Sequence, residues 1–418
     1  MSDERAQGDR ALRLILPAMI LASGLGYGVQ VVAPLLLPSR QYVAFSAYWS
    51  VLFLCIAGMT GVQNEIARSA RADARPPEAD RSLFRYASVV GGGASLLGLS
   101  TGVVLDILLQ SGSGVAVAIS LMVGVGGYGL LAVVAGILYG ARRWDGVALL
   151  IVADPAARAV LFAAIGVLSL AGLVNADLTW LLLGTALPFV IALILIWIFY
   201  GRTTVGTVSV DARVSELLRN SLHTILASGS LGFMVAGMPL VIGIIGRDTS
   251  STLVAGTVLV VVLTRAPLVS PLVALQSYLT VGFRDGPSRV PRRVTWLVIV
   301  IAVASAALAC ITVVVAPLAA NWLPEYSLPS TAAIMFIVVS AGLVGIQCVT
   351  GAAVLARGRH RLYAGGWVVT ALGVVGLALV PLGFEVRLVV ALSVPPLIGI
   401  GVHLVGLLRT GAPKSAPV

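Results

Sequence analysis

Charge is scarce in this chain of 418 residues: Asp, Glu, Lys and Arg supply 11% of it, and a single lysine, Lys414, stands among 27 basic residues. With 59% hydrophobic residues and so few charges, the chain could not cover its apolar surface in water. That excludes a soluble domain. Cysteine is nearly absent as well. Cys55, Cys310 and Cys348 each lie alone in an apolar run, which leaves neither a disulfide framework nor a metal-ligand spacing, and they read as small buried hydrophobes. No phosphate-cradling loop follows a strand, no nucleophile lies beside its base, and no His/Cys/Asp/Glu cluster occurs. The expectation is therefore no cofactor, no metal and no enzyme activity. A membrane-embedded transferase can hide its site in scattered acids, but the outward loops here are too short to build one.

What the chain has in abundance is long apolar runs. Twelve are read, at roughly 12–37, 43–63, 86–109, 115–140, 147–171, 179–200, 221–246, 252–281, 294–318, 330–355, 362–383 and 386–408. A bilayer core of roughly 30 Å takes about 20 helical residues, so each run can span it. With the N-terminus in the cytoplasm, 22 of the 27 basic residues fall in inner segments, from Arg5, Arg10 and Arg13 to Arg409 and Lys414. Outer loops keep only Arg40, Arg247 and Arg387, and Arg158 and Arg265 lie within spans. This one-sidedness predicts both termini in the cytoplasm. It also explains the net charge of +10 by basic loops facing an anionic leaflet, with no call for nucleic acid. Trp144, Trp180, Trp197, Tyr200, Trp296 and Trp322 sit at span ends as interfacial anchors. The first span is too long for a signal peptide and no small-residue cleavage site follows it.

The predicted fold is all-α, a polytopic membrane protein of twelve helices in two six-helix lobes, residues 1–200 and 221–418, joined by a linker at 201–220. In the linker Val214, Leu217, Leu218 and Leu222 recur at helical spacing, as in an interfacial helix. The halves resemble each other: Gly136-Ile-Leu-Tyr-Gly-Ala-Arg-Arg at the end of span 4 aligns with Gly351-Ala-Ala-Val-Leu-Ala-Arg-Gly at the end of span 10. Six spans per half give both halves the same orientation, hence a parallel repeat and an expected substrate cavity between them. Gly124-Val-Gly126-Gly-Tyr-Gly129 fits a dinucleotide fingerprint but lies inside a span, so helix packing explains it. Gly24-Leu-Gly-Tyr-Gly28 and Gly91-Gly-Gly93 are read the same way.

Charges deep in apolar spans cost several kcal/mol unless paired or hydrated, so they mark candidate sites. Asp154 and Arg158 share one helix face in span 5, either as a self-neutralising lock between helices or as a cavity-lining pair. Arg265 lies mid-span in Leu263-Thr-Arg-Ala-Pro-Leu-Val-Ser-Pro271, with no acid within a turn. It is read as lining a cavity, where its fork suits a phosphate or pyrophosphate, or else as a partner of Asp154. Gly61-Val-Gln-Asn-Glu-Ile-Ala-Arg68 ends span 2, so that Gln63, Asn64, Glu65 and Arg68 line the inner mouth of the cavity or form a surface pair. Gln30, Gln276 and Gln347 suit packing bonds or saccharide hydroxyls. His223 and His403, isolated near inner span ends, are read as interfacial in preference to proton relays.

Those last two motifs, with Gln276 completing Thr-Arg-Ala-Pro-Leu-Val-Ser-Pro-Leu-Val-Ala-Leu-Gln276, resemble the polysaccharide-transporter branch of the MOP superfamily over essentially the whole chain. That branch includes O-antigen-unit flippases and is related to the lipid II flippase and the MATE drug exporters. The resemblance implies a V-shaped cavity and translocation of a polyprenyl-pyrophosphate-linked saccharide by alternating access, in a bacterial cytoplasmic membrane. Arg265, Arg158, Asp154, Gln63, Asn64, Glu65, Arg68 and Gln276 are the implied substrate contacts. Membrane lipids and glycan polymerases or glycosyltransferases are the implied partners. The first span lacks the acid that cation-coupled exporters use there, and the chain has fewer spans than the fourteen of lipid II flippases. Two other readings are a cation-coupled exporter using Asp154, and a non-transporting scaffold of a polysaccharide-assembly complex.

Overall fold

The computed structural model describes residues 2–71, 77–109, 113–201, 209–210, 214–274, 276, 279–280, 283, 287–321 and 324–408. Trp322, Arg409 and Lys414 lie outside them, as do the side chains of Arg5, Arg10, Arg68 and His223. The helices are α1 (Ser2–Leu36), α2 (Ser39–Ser69), α3 (Pro77–Leu109), α4 (Gly114–Gly140), α5 (Trp144–Leu170), α6 (Leu178–Tyr200), α7 (Val214–Ala236), α8 (Met238–Ile245), α9 (Ser251–Ala274), α10 (Val290–Ala320), α11 (Thr331–Ala356), α12 (His360–Ala378) and α13 (Phe384–Leu408). The chain is an all-helical, multi-pass membrane protein.

Among the described residues, ten of these helices are long and apolar enough to cross a bilayer. The seventh and eighth expected spans lie outside that set. Span 7 is split between α7 and α8 at Gly237, and Pro239 in the first turn of α8 has no N–H to continue the ladder. Positions 214–220 are the first turns of that same helix α7. The eighth expected span is continuous in α9, 24 residues from Ser251 to Ala274, with Arg265 inside it. One short pairing was not foreseen: Ala70–Arg71 after α2 runs antiparallel to Ser209–Val210.

The chain divides into two compact units, Met1–Gly232 and Phe233–Val418. In the first, α4 is the central helix and packs on α2, α3 and α6, while α5 packs on α1 and α6. In the second, α11 is central and packs on α9, α10 and α13, and α12 packs on α13. Counted as spans, the fourth meets the second, third and sixth, and the tenth meets the eighth, ninth and twelfth. The internal packing therefore repeats, with Gly136 and Gly351 on the two central helices.

Glycine sets how closely α4 is approached. In the fingerprint-like run, a Cβ on Gly124 would stand 3.0 Å from Leu52 of α2, and one on Gly129 would stand 2.9 Å from Ala94 of α3. Gly24, Gly26 and Gly28 behave otherwise: nothing lies within 4 Å of where a Cβ would be, so that run does not bring helices together as expected. Gly98 of α3 faces backbone, with the Leu121 carbonyl carbon 2.7 Å from a built Cβ. Because backbone cannot yield like a side-chain tip, Gly98→Leu should destabilise by about 3 kcal/mol or more through overpacking. Gly93→Ala, in open space, should be neutral or slightly stabilising. Thermal unfolding of the two variants in detergent checks the contrast.

Candidate functional site

In the first unit, Asp154 and Arg158 stand one turn apart on α5, on either side of Pro155. Arg158 is 2% exposed. Its Nη2 donates to Asp154 Oδ1 at 2.5 Å and to the Thr185 carbonyl of α6 at 3.5 Å. Three rings surround the guanidinium carbon: Trp49 at 5.2 Å and Phe53 at 5.3 Å from α2, and Phe189 at 5.0 Å from α6. Trp49 stacks on Phe53 with centroids 4.6 Å apart. The cation is thus held by one carboxylate and three π faces, and the pair ties α5 to α2 and α6 inside this unit. Asp154, the alternative partner proposed for Arg265, is engaged by Arg158.

The polar end of α2 is a separate place, since Gln63 lies about 15 Å along the helix from Phe53 at 1.5 Å per residue. Here Asn64 is exposed, Gln63 is half-buried and Glu65 is buried. The side chain of Arg68 lies outside the described residues. Gly136 of α4 packs onto this turn, with the Gln63 carbonyl 2.7 Å from a built Cβ. The motif therefore joins the ends of α2 and α4 and sends its side chains in different directions.

In the second unit Arg265 stands on α9, 4% exposed. Its Nη1 donates to the Met234 carbonyl at 2.7 Å. That oxygen belongs to the last turn of α7, where the carbonyls lack intrahelical donors and the helix dipole favours a cation. Nε and Nη2 are buried and have no hydrogen-bond partner among the described residues. Among the described residues no carboxylate pairs with Arg265. One neutral carbonyl among the described residues answers a full positive charge, and two guanidinium nitrogens with three N–H bonds are to spare.

Gln276, the remaining sequence candidate in this unit, belongs to a network on α11, α12 and α13. Its Nε2 donates to the Tyr363 hydroxyl at 2.9 Å. His403, expected at an interface, is instead wholly buried. Its Nε2 lies 3.2 Å from the Tyr363 carbonyl and its Nδ1 lies 3.2 Å from Thr350 Oγ1. Tyr363 stacks on the imidazole at 6.2 Å and Trp367 meets it edge-on at 6.3 Å. Gln347 donates to Thr370 Oγ1 at 2.9 Å and to the Gly366 carbonyl at 3.1 Å. What makes room for His403 is glycine: Cβ atoms at Gly351 and Gly366 would press on its ring. A search for histidines opposite helical glycines is the signal that could have found this site.

No family model matches the chain. Two uncharacterized proteins of Mycobacterium tuberculosis (strain H37Rv) are similar along nearly its full length. Rv3630 is 29% identical over 405 residues, covering 92% of this chain and 89% of the relative. Rv1510 is 28% identical over 417 residues, covering 94% and 90%. Among solved structures, an inward-facing multidrug resistance MATE family transporter of the MOP superfamily matches with TM-score 0.67 at 16% identity, covering 93% of this chain and 94% of that one. The lipid II flippase MurJ, in its inward closed conformation, matches with TM-score 0.66 at 12% identity, covering 93% and 86%. The chain is a multi-pass helical membrane protein with the fold shared by MATE transporters and MurJ.

Proposed function

We propose that this protein is a flippase that moves a polyprenyl-pyrophosphate-linked saccharide from the cytoplasmic to the outer leaflet of a bacterial cytoplasmic membrane, by alternating access and with no chemical reaction. The observation that carries this reading is Arg265: a guanidinium inside the spans, with no carboxylate partner among the described residues and two donors unused. Such a group costs several kcal/mol and is retained where it meets an anion. A pyrophosphate supplies charge and paired acceptor oxygens that a guanidinium binds bidentately. The fold shared with a lipid II flippase supports the same class of cargo. A glycan polymerase or glycosyltransferase is the partner such a cargo implies. The exporter reading, which needs Asp154 for a coupling cation, is disfavoured because Arg158 already holds that carboxylate at 2.5 Å.

The test is translocation of a fluorescent polyprenyl-pyrophosphoryl saccharide in proteoliposomes. Wild-type protein should move it across the bilayer well above the protein-free rate, and Arg265→Ala, folded to the same extent, should fall to background. Equal movement by the two proteins would remove Arg265 from the substrate path, and none by wild type with any lipid-linked saccharide would remove the cargo class.

A further inference from the structure

His403 carries a second proposal, one that does not depend on the cargo. The carbonyl of Tyr363 can only accept a hydrogen bond, so Nε2, 3.2 Å away, carries the proton in the neutral ring. Nδ1 is then an acceptor, and the Thr350 hydroxyl 3.2 Å away donates to it. That hydroxyl has two other acceptors in reach, the carbonyls of Ile346 at 3.1 Å and Gln347 at 3.2 Å. If its O–H turns to one of them, its oxygen lone pair faces Nδ1 and accepts from a protonated Nδ1–H. Rotation of one hydroxyl therefore satisfies both the neutral and the charged ring. The faces around the ring suit a cation as well, with Tyr363 lying within 8° of parallel to it.

The surrounding charges are few. Helices α11 and α12 contain no Asp or Glu. On α13 the acid is Glu385, about 27 Å away along the helix at 1.5 Å per residue. The titratable groups beside the ring are Tyr363 and, through it, Cys348. One turn further on, Arg357 and Arg359 donate to the carbonyls of Leu407 and Gly406 at the end of α13. Among the described residues a proton here is met by hydrogen bonds and ring faces, with no carboxylate to trap it.

We propose that His403 is a proton-binding site in the second unit, at which Nδ1 gains and loses a proton while the Thr350 hydroxyl reverses its hydrogen bond. The forming bond is Nδ1–H and the proton returns to solvent when it breaks, so nothing is oxidised or reduced. In a transporter of this fold, such a site lets a proton gradient drive the cycle.

The chain has three histidines, so changing His223 and His360 to Asn leaves His403 as the sole imidazole. In nanodiscs with isotope-labelled histidine, its ring nitrogens should show an Nε2–H neutral form that reversibly gains the Nδ1 proton between about pH 5 and 8. Thr350→Val should lower that midpoint by about one pH unit, a tenfold loss of proton affinity, because the charged ring then loses the Thr350 oxygen as an acceptor at Nδ1. A ring that stays neutral throughout, or a midpoint unmoved by Thr350→Val, would overturn the proposal. In proteoliposomes, His403→Gln should abolish any acceleration of translocation by a pH gradient while leaving gradient-free movement; equal acceleration in both proteins would count against it. The titration is read without any cargo, so failure of the flippase reading leaves it decisive.

Discussion

Asp154→Ala should cost the protein about 3–5 kcal/mol, the typical cost of removing one member of a buried ion pair. Arg158 would keep its position, 2% exposed, with its charge answered only by the faces of Trp49, Phe53 and Phe189. Ring faces contribute roughly 2 kcal/mol to a desolvated cation and cannot replace a carboxylate. The expected result is loss of the monodisperse peak in detergent and a sharp fall in the level of folded protein. The double change Asp154→Leu with Arg158→Met should restore stability, since a buried pair exchanged for apolar residues of similar size is often neutral or stabilising. Translocation by that rescued protein then separates the two roles of the pair. Activity near wild type would make Asp154 and Arg158 a lock between α5, α2 and α6; a stable but inactive protein would make them part of the transport path.

Arg265 should behave with opposite signs. Arg265→Met removes a charge whose Nε and Nη2 have no partner, so the variant should be more stable than wild type by about 1–4 kcal/mol, the range seen when buried charges give way to apolar residues. Translocation should fall to background at the same time. Arg265→Lys should keep the charge but lose the paired N–H groups that grip a pyrophosphate, so a residual rate at least tenfold below wild type is expected. Thermal unfolding and the translocation assay, run on the same preparations, check both signs. A variant that is less stable and inactive would make Arg265 a structural cap for the Met234 carbonyl at the end of α7 instead.

The spans were legible because an apolar run of bilayer length has one use, and the place where the pattern blurred is physically marked. Gly237 and Pro239 break span 7 within a run that stays hydrophobic, and hydropathy cannot register a missing N–H. Arg265 was legible as a charge out of place, and so was the Asp154–Arg158 pair, since four residues separate partners on one helix face. The cage around Arg158 was not, because Trp49, Phe53 and Phe189 come from two other helices and lie over 30 positions away in sequence. Each of them alone reads as an ordinary lipid-facing or core aromatic. His403 was misplaced for a related reason. Its distance from the end of the span suggested an interface, but the glycines opposite it on α11 and α12 decide its burial.

The arginine inside α9 has a consequence for how the chain is made. A segment enters the bilayer from the translocon on its own hydropathy, and an arginine near its centre costs about 2.5–3.5 kcal/mol at that step. The helix Ser251–Ala274 carries that residue inside it, and α7 and α8 before it are interrupted at Gly237. The span that follows, within Val290–Leu318, carries no such charge in its apolar stretch and meets the criteria for crossing unaided. The expected consequence is cooperative insertion of the second half: α9 should be drawn in by its neighbours during synthesis, so that the residue proposed to grip an anion would also make biogenesis depend on chain order.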